Sequence, residues 1–148
     1  MDEFAYVVNV DVAVHRDDEY LFIERGADEE HAAGLLGFPG GKLESDPGTA
    51  DAIEATAIRE VEEEVGVVVE SPSYVHSSTF TADEGTTCLN VLTRVAYVEG
   101  RARPCAGEEV DAVHWLTPSE LAGLDGVPSF TRTYLERVEA DRDAATEA

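Results

Sequence analysis

The chain has 148 residues, of which 32 are acidic and 10 basic, giving a net charge of −22 alongside an ordinary hydrophobic fraction of 43%. So negative a surface repels polyanions, which argues against a nucleic-acid polymer or an anionic membrane as partner. The apolar content is that of a chain with one sizeable core, not of an acidic disordered tail.

No apolar run approaches the roughly 20 residues that a membrane-spanning helix needs, and the opening "MDEFAYVV" lacks the basic stretch of a secretory signal. Cys88 and Cys105 stand far apart with no CxxC spacing, as free thiols of a reducing compartment would. A cytoplasmic protein is expected, monomeric or homodimeric. The acid excess suits a salt-rich, halophilic cytoplasm, because molar salt shortens charge repulsion to about 3 Å.

"FAYVVNVDVAVH" (Phe4 to His15) is β-branched and alternating, hence a strand, and "YLFIER" (Tyr20 to Arg25) returns as its hairpin partner. A polar loop runs from Gly26 to about Leu36. Phe38-Pro39-Gly40-Gly41 is too short and glycine-rich for a helix and reads as a short strand or bend where backbone comes close to something else. After Gly48 the pattern turns helical: Ile53, Ala57, Val61 and Val65 form one apolar stripe, Thr49 or Asp51 stands where a cap belongs, and Gly66 is the stop.

Strand-like "VGVVVE", "SYVHSSTF" and "TTCLNVLTRVAYVEG" follow, the last two joined at Asp83 to Gly85. "AVHWL" is a short strand. Thr117, Pro118 and Glu120 then compose a helix start with a capping box. A final helix begins at "SFTRTYLERVEADRD", with fraying expected from about residue 142. There is no repeat and no linker long enough to divide the chain, so residues 1–148 read as one domain, a mixed α/β (α+β) sandwich with helices on a central sheet.

Four glutamates crowd into the helix, Glu60 and Glu62 to Glu64, beside Arg59. At about 100° per residue, Glu60, Glu63 and Glu64 emerge within an arc of roughly 100°. Like charges so close destabilise a helix unless a counter-charge sits among them. Arg59, four residues before Glu63, can pair with it, but one arginine cannot neutralise three carboxylates. In so acidic a chain the cluster is either solvated surface or the seat of a hard cation such as Mg²⁺ or Mn²⁺.

The stretch Arg59-Glu60-Val61-Glu62-Glu63-Glu64-Val65-Gly66-Val67 resembles, position by position, the second half of the Nudix hydrolase signature. "LFIERGADEEHAAGLLGFPGGK" is similar to the entry segment of MutT-type members, and "EEVDAVHWLTPSEL" to the strand and helix that follow the box. The likeness runs from about Phe4 to Leu124 and implies an α-β-α sandwich with a mixed central sheet. The spacing departs from the family at one place. Counting back from Arg59 to the family's other glutamate reaches Asp51, while counting forward from Gly41 reaches Pro47, so the loop is about four residues longer. Asp51 or Glu44 would supply that acid.

The resemblance implies metal-dependent hydrolysis of a nucleoside diphosphate linked to a further group. Glu60, Glu63, Glu64 and the carbonyl of Gly40 would hold Mg²⁺ or Mn²⁺, and Arg59 would orient Glu63. The base would be a helix glutamate or an acid of the later loop, Glu108 or Glu109. Phe38, Arg25 and Gly41 are the candidate substrate contacts, Phe38 either stacking on a base or packing in the core. The MutT-like entry tilts the substrate toward a nucleoside triphosphate, oxidised or not, with ADP-ribose second. A non-catalytic sensing module is the rival class; such modules lose the box carboxylates that this chain keeps.

Overall fold

A computed structural model describes residues 2–26 and 35–147. Seven strands form one mixed sheet: β1 (Val7–Arg16), β2 (Glu19–Arg25), β3 (Leu36–Gly37), β4 (Gly40–Lys42), β5 (Val68–Thr81), β6 (Thr87–Glu99) and β7 (Val110–Leu116). Along its main path the order is β3-β2-β1-β6-β5, with β4 paired to β1 and β7 to β2. Among the described residues only β1 and β6 run parallel, from Val7↔Cys88 to His15↔Ala96. A parallel pair needs a long crossover, and this one contains α1 (Ala52–Val65).

Side chains alternate across a strand, so β1 serves two cores at once. Val10, Val12 and Val14 meet Ala57, Val61 and Val65 of α1, all fully buried. On the other face Ala13 joins Tyr20, Phe22 and Leu92 beneath α2 (Pro118–Ala122) and α3 (Ser129–Glu147), which contribute Leu121, Leu135 and Val138. Each fully buried valine or leucine contributes about 1.5–3 kcal/mol relative to exposure. Together these layers form the expected sandwich.

The ends of α1 differ from each other. Gly66 closes it in the left-handed region (φ 72°), its N–H donating to the Glu62 carbonyl. At the start Asp51 occupies the cap position but is itself left-handed (φ 51°), and its side chain caps nothing. Thr49 does not cap either; its hydroxyl donates to the Asp46 carbonyl within the loop. At α2 the capping box forms as read: Thr117 Oγ1 accepts from Glu120 N at 3.1 Å, and the Glu120 carboxylate accepts from Thr117 N at 2.9 Å.

Three further readings are revised. The segments before and after Ser71 are one strand, β5, which absorbs the break through register shifts and a left-handed Ser71 (φ 56°). Tyr74, an aromatic on a strand and so of a kind that normally packs, is exposed. The last helix continues to Glu147, past the point near residue 142 where fraying was expected. The loop residues 27–34, including His31, lie outside the described residues.

Candidate active site

The site is built where α1 crosses β4. Val12 N donates to the Pro39 carbonyl and Leu43 N to the Val8 carbonyl, both at 2.8 Å, so the odd-numbered residues of this segment bond β1. By the alternation of an antiparallel ladder, the peptide edge of Gly40 faces away from β1. Its N–H donates to Glu64 Oε1 at 2.7 Å, and its carbonyl lies on the same edge. The glycines allow this closeness. A Cβ on Gly41 would fall inside the Glu60 carboxylate, and one on Gly40 would overlap the Val10 carbonyl oxygen.

Glu64 is only 3% exposed. Burial pushes its carboxyl up to about 7, resisted by the Gly40 N–H and by Arg25 and reinforced by Glu60 and Glu109. Glu60 is raised too, first by burial, with the Arg59 hydrogen bond opposing and Glu63 adding to it. Two acids are thus held together on β4 with less positive charge than they need. Acids gathered and perturbed in this way make the pair a candidate site.

Arg59 keeps its expected ion pair with Glu63 and adds two hydrogen bonds. Its Nη2 donates to Glu60 Oε1 at 3.2 Å, its Nη1 to the Glu44 carbonyl at 3.0 Å, and its Nε stands 3.8 Å from Glu63. The guanidinium is thus shared between Glu60, Glu63 and the lengthened loop. Glu63 is left as a loose partner with 62% of its side chain exposed. Glu44 enters through its backbone; its side chain and that of Asp51 stay exposed.

Among the described residues no three His, Cys, Asp or Glu side chains form a ready-made cluster able to hold a metal ion. The donors at hand, Glu60, Glu64 and the Gly40 peptide edge, are all hard oxygens of the kind Mg²⁺ and Mn²⁺ take, and their uncompensated charge fits such an ion.

On the other side of β4 lies a cleft lined by Asp11, Arg25, Leu36, Phe38, Phe130 and Tyr134. Arg25 follows a bulge in the β2–β7 ladder, where the register shifts after Glu24, and bulges re-aim side chains. Its charge acts on both Asp11 and Glu64. Phe38 is a core residue, 5% exposed with its ring 4.9 Å from Phe22, and it also lines the cleft. Phe130, 52% exposed, stands at the mouth and packs edge-on to Tyr134.

Asp11 is the residue that the sequence reading missed. Burial raises its carboxyl to about 6, with Arg25 opposing. The signal was present as one acid in the middle of the alternating run Val7–Val14, on the face that also carries Ala13.

Glu109 comes to the site from the far end of the chain. It closes the 3-10 turn Gly107–Glu109 just before β7, and its charge acts on Glu60 and Glu64. The acid anticipated from the later loop is therefore near the helix carboxylates.

The NUDIX domain model matches residues 5–138. No curated protein matches the sequence significantly. Among solved structures, the chain is similar to a MutT NUDIX hydrolase from Burkholderia pseudomallei, at 24% identity and TM-score 0.75, covering 90% of this chain and 98% of that one. A NUDIX hydrolase from Nitrosomonas europaea aligns at 23% identity and TM-score 0.75, over 93% and 90%. The NUDIX domain of Shewanella oneidensis NrtR, crystallised with ADP ribose, aligns at 18% identity and TM-score 0.69, over 95% and 89%. At such identities the structural likeness speaks for the fold; the family match, running over nearly the whole sequence and over the glutamate helix itself, shows that the chain belongs to the NUDIX family.

Proposed function

We propose that this Nudix pyrophosphohydrolase cleaves a nucleoside triphosphate, oxidised or not, to the monophosphate and pyrophosphate, with Mg²⁺ or Mn²⁺ held by Glu60, Glu64, the Gly40 carbonyl and, once drawn inward, Glu63. One observation carries the reading: Glu64 on the Gly40 peptide edge and Glu60 against Gly41, both under-compensated, stand beside a cleft with an arginine inside and an aromatic at its mouth. When bound, the ion neutralises phosphate charge and acidifies water.

The chain's own residues do the rest. Arg59 fixes the Glu60 carboxylate, and Gly41 leaves room for it. Arg25 supplies the positive charge that a phosphate needs in so acidic a protein, and Phe130 offers a face to the base. Water adds to one phosphorus of the α–β anhydride, and the bridging oxygen leaves with the other phosphate. Glu109 takes the proton of that water.

ADP-ribose is the second reading, supported by the ligand of the NrtR domain. A panel of nucleoside triphosphates, their oxidised forms and ADP-ribose, each with Mg²⁺ or Mn²⁺, decides between them. Pyrophosphate released from a triphosphate is expected. Turnover of ADP-ribose alone would move the assignment to the second reading, and no turnover of any would sink both.

A further inference from the structure

The β2–β7 pair ends at the site in a backbone-to-backbone contact. Gly26 is buried, and its N–H donates to the Glu109 carbonyl at 3.0 Å. A Cβ on Gly26 would overlap the Glu108 carbonyl oxygen and stand 3.0 Å from the carbonyl carbon. Its φ is not in the left-handed region, so the need for glycine comes from this contact and not from the dihedral. No flexible side chain is there to give way.

The turn lying on Gly26 is the one that carries Glu109, and it is fastened at its other end as well. Arg103 N and Cys105 N donate to the carbonyls of Val65 and Glu64 at 3.0 and 2.8 Å, tying the incoming chain to the end of α1. Between these two anchors Gly107 has open space around it. With the α1 end held, a displacement at Gly26 falls on Glu108 and Glu109.

We propose that Gly26 is a positioning residue for Glu109: it seats the Gly107–Glu109 turn and so sets the distance of that carboxylate from Glu60 and Glu64. The inference rests on the assignment of Glu109 to proton transfer made above. The test compares Gly26→Ala, Glu109→Gln and the double variant in the full chain. It uses GTP, or another triphosphate of the panel that turns over, with Mg²⁺, and follows amide hydrogen exchange over residues 106–110.

Gly26→Ala should lower kcat by about 10²-fold, the scale of a 1 Å misplacement, and speed exchange in the turn. KM should change far less than kcat, since the displacement falls on the turn carrying Glu109 and Arg25 keeps its strand pairing. In the Glu109→Gln background it should add nothing further. An equal loss of kcat in both backgrounds would make Gly26 a fold residue only and overturn the inference, as would full activity of Gly26→Ala beside an impaired Glu109→Gln. Full activity of Glu109→Gln would instead remove the assignment beneath it. Should Gly26→Ala not fold, one glycine inserted between Gly107 and Glu108 moves the acid and spares Gly26. Lost kcat at an unchanged KM then supports the inference, and retained kcat defeats it.

Discussion

Helices α1 and α3 cover opposite faces of the same sheet, and both bring charge to the edge of a core. On α3 the charges find partners. Arg142 donates to the Tyr20 hydroxyl at 2.9 Å and to the Asp17 carbonyl at 3.1 Å, Tyr20 donates to Glu139, and Asp141 pairs with Arg94 at 3.1 Å. On α1, Glu64 has the Gly40 N–H and Glu60 has a share of Arg59. The first arrangement is closed and fixes a helix to a hairpin. The second leaves negative charge over, and its natural complement is a cation from solution. In a chain this acidic the number of carboxylates says little; what stands out is one buried and one half-buried carboxylate, side by side and only partly compensated.

The sharpest way to break the comparison is to remove charge from α1 alone. Glu64→Gln keeps an oxygen for the Gly40 N–H, so the fold should survive, while turnover should fall by about 10²–10³-fold, the scale of losing one electrostatic contact to the reacting group. Chelation should abolish turnover in the parent, and Mg²⁺ should restore it. Glu63→Gln should cost less than Glu64→Gln, because Glu63 stands mostly in solvent. An equal loss would place Glu63 and Glu64 on the same footing.

Gly41→Ala sharpens it by geometry. The new methyl group must displace the Glu60 carboxylate, so activity should drop by about tenfold or more. The melting temperature should change little, since the carboxylate can swing toward solvent. A variant with full activity would show that Glu60 works from another position.

The third prediction is a pH dependence without divalent cations. Asp11 rises from 3.8 to about 6 and Glu64 from 4.5 to about 7, in both cases through burial. Across that window the folded chain keeps protons that the unfolded chain has released, so stability should fall as pH rises. His15, lowered by burial and by Arg142 and Arg94, acts in the opposite sense. The reading is therefore the difference in melting temperature between the parent and Glu64→Gln, which should widen in favour of the variant from about pH 4.5 to about 7. A constant difference would mean that Glu64 is compensated after all.

The smallest effect is expected on α3. Arg142→Ala removes hydrogen bonds worth about 1–2 kcal/mol, or roughly 3–6 °C in melting temperature for a chain of this size. Turnover should be unchanged. A loss of activity there would mean that the far helix end is coupled to the site.

What could be read from the sequence was local. The valine stripe of α1, its stop at Gly66 and the Thr117 capping box each depend on residues within one or two turns, and each is present. What escaped depends on distant chain. Asp11 becomes part of a cleft only because β4 pairs with β1 and α3 folds over both. Arg59 pairs with Glu63 as helical spacing foretold, but its bond to the Glu44 carbonyl, fifteen residues away, could not be read from the helix. Ser71 looked like a strand break because bulges hide inside a strand only when a partner strand, here β6, carries the pairing past them.

The central claim is that α1 holds charge in wait for a cation, and Mn²⁺ binding followed by calorimetry tests it without any substrate. The parent should bind. Glu60→Gln and Glu64→Gln should each weaken binding by about tenfold or more, as the loss of one ligand does. Glu62→Gln, on the exposed side of the same helix, should leave it unchanged. Equal affinity in all four proteins would contradict the account, because the ion would then be responding to the net charge of −22 and not to the carboxylates packed against Gly40 and Gly41.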